Sequence, residues 1–270
     1  MYRAVLFLLM TALAASAFGQ GKALSSEREK IGAENFNQAI AAFSAGDYQK
    51  CISLFLAADT LIGDSKLVDR VKLRFALGIS FLETSHAEAA YGYFQWVEMQ
   101  DSAYPYLQLQ LAESARLAGQ PEAALHYYDK ALQQAKPTEQ GAILARIGEL
   151  EMAAGRLPLA LENLDKAISL SPTAGFFYLR GQVYDKLAQR LDRAEDESVD
   201  YEAAIKKGEF TEEVMRQATE LREKALADYQ AAVRDPKLTT ACNKLIERSQ
   251  VILENNRQVI SEIRYQRENP

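Results

Sequence analysis

The chain has 270 residues and a formal net charge of -6 at pH 7; 48% of its residues are hydrophobic and 25% are charged. This balance is enough to build a packed core, which excludes a disordered chain. The acidic charge argues against a nucleic-acid-binding protein, because such a protein normally needs a basic face. Long windows rich in Ala, Leu, Glu and Gln favour helices over strands.

The first residues are typical of an export signal. Arg3 supplies a positive charge, an apolar run follows over residues 4–18, and residues 15–17 offer small side chains for cleavage. The apolar run is shorter than the roughly 20 residues that a membrane-spanning helix needs. We therefore expect residues 1–19 to be a signal peptide and residues 20–31 a tether. The mature protein would be periplasmic or secreted, without a membrane span; an uncleaved anchor is the alternative.

One sequence pattern occurs three times in the chain. It consists of a small residue, Gly, a short segment of polar residues or proline, Ala or Cys, an aliphatic residue and a large residue. When Gly46, Gly119 and Gly155 are aligned, these repeats begin at residues 32, 105 and 141. Two weaker copies begin near residues 71 and 174, so the starts are 33 to 39 residues apart. This spacing predicts helix–turn–helix repeats.

The residue types explain how such repeats would pack. A small residue at position 8 lets the two helices of a repeat approach closely, and a large residue at position 24 fills the remaining gap. Glycine permits the left-handed turn that ends the first helix. Because one helical hairpin cannot bury its own apolar face, neighbouring repeats must stack into a solenoid.

The pattern resembles the tetratricopeptide repeat family, which has a small residue or Gly at position 8, Gly at 15, Ala at 20 and 27, an aromatic residue at 24 and Pro at 32. Repeat 3 matches with Ala112, Gly119, Ala124, Tyr128 and Ala131. Repeat 4 matches with Gly148, Gly155, Ala160, Leu164, Ala167 and Pro172. Ser85 replaces the turn glycine of repeat 2, and Cys51 replaces an alanine of repeat 1. The resemblance implies an all-α, right-handed superhelical solenoid over residues 32–236.

Repeat 5 is interrupted. After Gly181 and Tyr184 the pattern resumes only at Ala225 and Tyr229, which leaves 32 extra residues. Apolar residues in this insert recur every three or four positions, which predicts that both helices of repeat 5 are lengthened into a projecting antiparallel hairpin at about residues 187–221. The rival interpretation is a degenerate extra repeat whose second helix begins at residues 200–205.

The last segment, residues 237–270, reads as one long helix that caps the array. Its apolar side is predicted to consist of Val251, Ile252, Val259, Ile260 and Ile263.

Residues that could perform catalysis are few. The two histidines, His86 and His126, occupy unrelated repeat positions, and no metal-binding, phosphate-binding or nucleophile motif is present. We expect neither an enzyme nor a cofactor or metal. Cys51 and Cys242 could form a disulfide in an exported chain, but Cys51 at an alanine position favours two buried thiols.

The resemblance also implies a binding surface, because in that family the first helices line a concave groove. The residues carried over are Asn37, Lys72, Phe75, Tyr106, Gln110, Glu113, Arg116, Arg146, Glu149, Tyr178, Gln182 and Lys186. Arg116 and Arg146 could bind a partner's carboxylate or pair with Glu113 and Glu149 on their own helices. An aromatic cluster, residues 91–96, is either a recognition surface or core packing.

We therefore expect a non-catalytic protein-interaction scaffold or adaptor in a bacterial cell envelope. The groove would hold a partner segment, and the projecting hairpin would offer a second contact surface. Two alternatives remain open: a protein that binds a small ligand or a peptidoglycan fragment, and a structural protein that self-associates through the hairpin.

Overall fold

The computed structural model describes residues 27–62 and 66–269, and within those ranges every regular element is an α-helix. The predicted signal peptide and residues 20–26 of the predicted tether lie outside them. Among the described helices, none combines the length and hydropathy needed to cross a bilayer. The chain divides into two compact units, Met1–Ala131 and Leu132–Pro270.

The first unit contains repeats 1 to 3, and each repeat is a pair of helices joined by a tight turn. The helices are α1 Glu27–Ala45, α2 Tyr48–Ile62, α3 Arg70–Glu83, α4 Ala87–Gln100, α5 Leu107–Leu117 and α6 Pro121–Gln134, whose last residues pass the boundary between the units. Helix α1 begins before the predicted repeat start at residue 32, so the end of the predicted tether is helical. Glu27 and Glu29 favour this start, because acidic side chains in a first turn interact well with the helix dipole.

The turns between paired helices confirm the predicted alignment. Gly46, Gly119 and Gly155 all adopt left-handed conformations, with φ of 78°, 72° and 74°. Ser85 occupies the corresponding place in repeat 2 with φ of 65°. The Ser85 amide donates to the carbonyl of Leu82 at 3.0 Å, which is one of the bonds that closes such a helix end. Repeat 2 therefore keeps the left-handed conformation although Ser85 replaces the glycine.

Close packing explains the small residue at position 8. A Cβ atom built on Gly78 would lie 2.6 Å from Cε1 of Phe94, and one on Gly148 would lie 2.8 Å from Cγ of Leu164. Phe94 and Leu164 are fully buried position-24 residues. In repeats 2 and 4 the two helices thus approach so closely that a methyl group does not fit between them.

The second unit contains repeats 4 and 5 and the C-terminal helix. Its helices are α7 Pro137–Ala153, α8 Leu157–Leu170, α9 Ala174–Asp192, α10 Tyr201–Lys206, α11 Glu212–Ala232 and α12 Thr239–Glu268. One core cluster joins α7, α8 and α9 through residues such as Leu144, Leu164 and Val183.

The insert of repeat 5 differs from the predicted hairpin. Helix α9 ends at Asp192 instead of continuing, because the Asp192 carboxylate accepts the amide of Ala194 and Arg193 turns left-handed with φ of 50°. Asp200 caps α10, as the rival interpretation required, but that helix has only six residues. The second helix of repeat 5 is lengthened, since α11 has 21 residues and α6 and α8 have 14 each, but less than the predicted hairpin required.

The insert does not project freely, because the C-terminal helix covers it. Ala204, Phe210 and Met215 are buried in a cluster against which Val259, Ile260 and Ile263 of α12 pack. Helix α12 is one long helix, as predicted, and these three side chains with Ile252 form its apolar side. Val251 was wrongly assigned to that side: it is 62% exposed, and Leu253 is buried instead.

Candidate protein-interaction surfaces

In the first unit, part of the predicted groove is accessible. Asn37 of α1 is exposed, and Lys72 of α3 is half-buried beside Asp69, with 3.5 Å between the two charged groups. Asp69 also caps α3 by accepting the amide of Val71. These polar groups are therefore held in place by the start of their own helix.

Two predicted groove residues of the first unit belong to the core. Phe75 is 2% exposed, and its ring centre lies 4.6 Å from that of Tyr104 and 5.4 Å from that of Phe94. Burial raises the pKa of the Tyr104 hydroxyl to about 12, with further effects of Asp69 and Asp101. Gln110 is 6% exposed. Repeat position predicted that Phe75 and Gln110 line the groove. Both side chains are instead buried beneath that surface.

Helix α5 presents the main polar group of the first unit. Tyr106 precedes the helix in a left-handed conformation with φ of 62° and is half-buried. Arg116 donates to Oε2 of Glu113 through Nη2 at 2.9 Å and through Nε at 3.1 Å. Beneath this pair lies Tyr128, whose hydroxyl pKa is raised by burial and by the charge of Glu113.

The second unit repeats this arrangement on α7. Arg146 donates to Glu149 at 2.9 Å, again between residues three apart on one helix. Each arginine thus pairs with a glutamate of its own helix, which was one of the two possibilities left open. On α9 Tyr178 and Gln182 are half-buried and Lys186 is exposed.

The aromatic cluster of α4 is mainly packing. Phe94 is fully buried, and Tyr93 stacks on Phe81 with 5.4 Å between the ring centres. Trp96 is half-buried under Arg74, whose guanidinium carbon lies 4.1 Å from the ring centre. Arg74 in turn donates to Asp59 at 2.9 Å. These contacts join α2, α3 and α4, so the core-packing interpretation accounts for most of the cluster.

A buried ionic network in the second unit was missed by the sequence analysis. Arg222 of α11 is completely buried and donates to both carboxylate oxygens of Asp192 at 3.0 and 3.1 Å. A third bond, of 3.0 Å, reaches Asp185, which also accepts the Tyr229 hydroxyl at 2.7 Å. Asn256 of α12 donates to Asp192 at 3.1 Å. The network therefore joins α9, α11 and α12 through buried hydrogen bonds.

A sequence signal for this network does exist. Asp185 and Asp192 are seven residues apart, and so are Arg222 and Tyr229. Residues seven apart share one helix face, so each helix carries polar groups on the stripe that packs against the other. A second, partly buried contact joins the same two helices, with Arg180 donating to both oxygens of Asp228 at 2.8 Å.

The two cysteines and His86 lie outside these surfaces. Cys51 and Cys242 are both free and buried, as expected. His86 lies 3.1 Å from Thr84 through Nδ1. Among the residues that the structure describes, no group of three or more His, Cys, Asp or Glu is placed to hold a metal ion.

Helix pairs with left-handed turns and a small residue packed under a large one define a tetratricopeptide-repeat-like fold. The crystal structure of the protein MamA aligns with a TM-score of 0.53 and 14% identity over 77% of this chain and 96% of its own. That of YrrB, described as a tetratricopeptide repeat protein with an unusual peptide-binding site, aligns with a TM-score of 0.53 and 16% identity over 82% and 100%.

A third structure is MamA of Desulfovibrio magneticus RS-1, starting at its residue 41. It aligns with a TM-score of 0.51 and 13% identity over 61% of this chain and 88% of its own. No protein-family model matches the chain, and no curated protein sequence does. At these identities the similarity concerns the fold alone.

Proposed function

We propose that the chain is a non-catalytic scaffold that binds a segment of a partner protein along its first helices, in the cell envelope of a bacterium after export. The observation that carries the proposal is the repeated charge pair on first helices, Glu113–Arg116 in repeat 3 and Arg146–Glu149 in repeat 4. Neither pair belongs to the apolar core. An arginine that exchanges its glutamate for a partner's carboxylate keeps a charge-assisted hydrogen bond.

Two further observations support a peptide or helix as the ligand. Each unit also has a half-buried tyrosine at a first helix: Tyr106 directly precedes α5, and Tyr178 lies on α9. Tyrosine supplies large contact area together with a polar tip. A related fold, that of YrrB, is described with a peptide-binding site. The proposal of export rests on the sequence of residues 1–19.

The first experiment locates the binding surface in the native cell. A photo-reactive amino acid is placed at Asn37 or Lys186, which are exposed on first helices, or at Gln95 or Lys166, which are exposed on second helices. We expect one polypeptide to crosslink from the first-helix positions and not from the second-helix controls. Equal crosslinking from all four positions, or none from Asn37 and Lys186, contradicts the proposal.

The second experiment uses that polypeptide in purified form. The double variant Arg116→Glu with Arg146→Glu is expected to weaken binding by about tenfold or more, because like charges then face the ligand's carboxylates. Lys166→Glu is the matched control, because it reverses the charge of a lysine that forms an exposed ion pair with Glu162 on α8. Unchanged affinity of the double variant would show that the arginines do not contact the partner.

Export is tested separately, by fractionating cells and sequencing the amino terminus of the protein in the envelope fraction. A mature terminus near residue 20 supports export. An intact terminus in the cytosolic fraction contradicts it and leaves the binding proposal to stand on the crosslinks.

A further inference from the structure

Different chemistry holds the first half of α12, defined as residues 239–257, and its second half, residues 258–268. In the first half Ser249, Ile252, Leu253 and Asn256 are each 6% exposed or less, and Asn256 joins the buried ionic network through Asp192. Separating this half from α9 and α11 would leave buried charges with fewer partners, which is costly inside a protein. This half of α12 is therefore firmly anchored.

The second half of α12 has weaker contacts. Its apolar side chains Val259, Ile260 and Ile263 are only half-buried. Arg264 and Arg267 donate to the Glu212 carboxylate at 2.8 and 3.2 Å, and both arginines are about half exposed or more. Partly exposed ion pairs and half-buried aliphatic groups each contribute little to stability.

The apolar side chains of the insert share these contacts, although Glu195 of the insert also pairs with Arg248 in the first half of α12. Val199, Tyr201 and Ile205 pack against the cluster of Ala204, Phe210 and Met215, which also receives the aliphatic side chains of α12. Tyr201 stacks on Phe210 with 5.2 Å between the ring centres. Because the insert and the second half of α12 cover each other, displacing one of them exposes the apolar side chains of the other.

We propose that residues 193–211 and the second half of α12, from Gln258 on, form a clasp that opens and closes as one unit while the Arg222 network stays closed. Asp192 marks the limit of the clasp, because it accepts from Arg222 on one side and from Ala194 of the insert on the other. Opening uncovers Phe210 and Met215 beside the Glu212 carboxylate. Such local opening units are a general property of folded proteins.

Hydrogen exchange of the purified full-length chain, followed by mass spectrometry, tests the proposal. Peptides from residues 193–211 and 258–268 are expected to exchange with one common opening rate. Peptides from residues 176–190 and 218–231, which contain the network, are expected to exchange more slowly by about tenfold or more. Different rates for the two clasp segments, or the same protection as in the network, would overturn the proposal.

A variant on α12 tests the coupling directly. Ile263→Ala changes a side chain of α12 and none of the insert, yet it is expected to speed exchange by about threefold or more in residues 193–211 as well, because Ile263 packs against their cluster. Val251→Ala, an exposed position of the same helix, should change neither segment. An effect of Ile263→Ala confined to α12 shows that the two segments open independently and rejects the clasp.

A second variant tests the ionic contact. Glu212→Gln keeps the size of the side chain but removes the charge that Arg216, Arg264 and Arg267 share, and we expect faster exchange in both clasp segments. Glu213→Gln, one residue further on and bonded to Gln217, is the control. If both variants exchange at the rate of the unmodified protein in these segments, the ion pairs of Glu212 do not hold the clasp closed, and that part of the proposal is wrong.

Discussion

Gly181 lies directly under the ring of Tyr229, so that a Cβ atom on the glycine would be 2.7 Å from Cε1 of the tyrosine. The two residues belong to the same repeat although the whole insert separates them in sequence. Their contact is the counterpart of Gly78 with Phe94 and Gly148 with Leu164. Repeat 5 thus keeps the packing of an ordinary repeat at its base, and the insert is added beyond it.

The substitution Gly181→Ala is expected to lower the free energy of unfolding by about 1–3 kcal/mol, because an added methyl group overpacks the contact with Tyr229. Gly92→Ala is the control, since nothing lies within 4 Å of a Cβ atom there. That change should raise stability by about 0.5–1 kcal/mol through helix propensity alone. Urea unfolding of both variants decides, and equal stability of the two would refute the packing argument.

Ser85→Gly is expected to stabilise the protein by about 1 kcal/mol, because a left-handed conformation is unfavourable for serine and not for glycine. The reciprocal change Gly119→Ser places serine in the same turn of repeat 3, where φ is 72°, and should destabilise by a similar amount. Thermal unfolding measures both. A destabilising Ser85→Gly would mean that the serine side chain contributes more than its backbone conformation costs.

Arg222→Met is expected to cost about 3–5 kcal/mol, because it leaves the carboxylates of Asp185 and Asp192 buried without their main partner. Arg257→Met on α12 removes a 61% exposed arginine and should cost no more than about 0.5 kcal/mol. Adding Asp192→Asn to Arg222→Met should recover part of the loss, because one unpaired charge is then removed. Chemical denaturation measures the free energy of unfolding of the unmodified protein, the two single variants and the double variant. A loss as small for Arg222→Met as for Arg257→Met would contradict the prediction.

The Cys51 thiol is expected to resist alkylation in the folded protein at pH 8. Burial, with the nearby charge of Asp47, raises its pKa from 9.0 to about 11. A raised pKa means that the unfolded thiol ionises first, so its contribution to stability is intact below pH 9 and is lost as the pH rises through about 11. Labelling rates and urea unfolding across this range measure both effects.

Cys51→Ala is the control for that measurement. Alanine occupies the same position in other repeats, as Ala124 and Ala160 do, so the variant should fold. Comparing it with the unmodified protein at each pH cancels the ionisation of other groups, such as Tyr104. If both proteins lose stability equally between pH 9 and 11, the thiol is not responsible.

Much of the fold could be predicted because the repeated residues mark the turns and the close contacts between helices. Gly46, Gly119 and Gly155 indicated the turns, and the phase of Ala225 and Tyr229 located the second helix of repeat 5 despite the insert. These signals work because left-handed turns and close helix contacts each tolerate few residue types.

The end of α9 and the cover of the insert could not be predicted in the same way. The apolar spacing of the insert continues past Asp192, but the helix stops there, where the Asp192 carboxylate accepts the amide of Ala194. Arg222, thirty residues later, donates to the same carboxylate. The candidate surface was also only partly predictable. Repeat position assigned Phe75 to the groove, whereas Phe75 is buried against Phe94 of α4 and against Tyr104 in the loop between α4 and α5.

The Arg222 network has a consequence for engineering the chain. Repeats can usually be copied to lengthen an array, because each one meets its neighbour through the same kind of surface. Here α9, α11 and α12 share buried charges that a copied repeat would not supply, so residues 174–268 would have to be moved as one block. A designer who wants a longer version should therefore insert new repeats ahead of Ala174 and leave the C-terminal block intact.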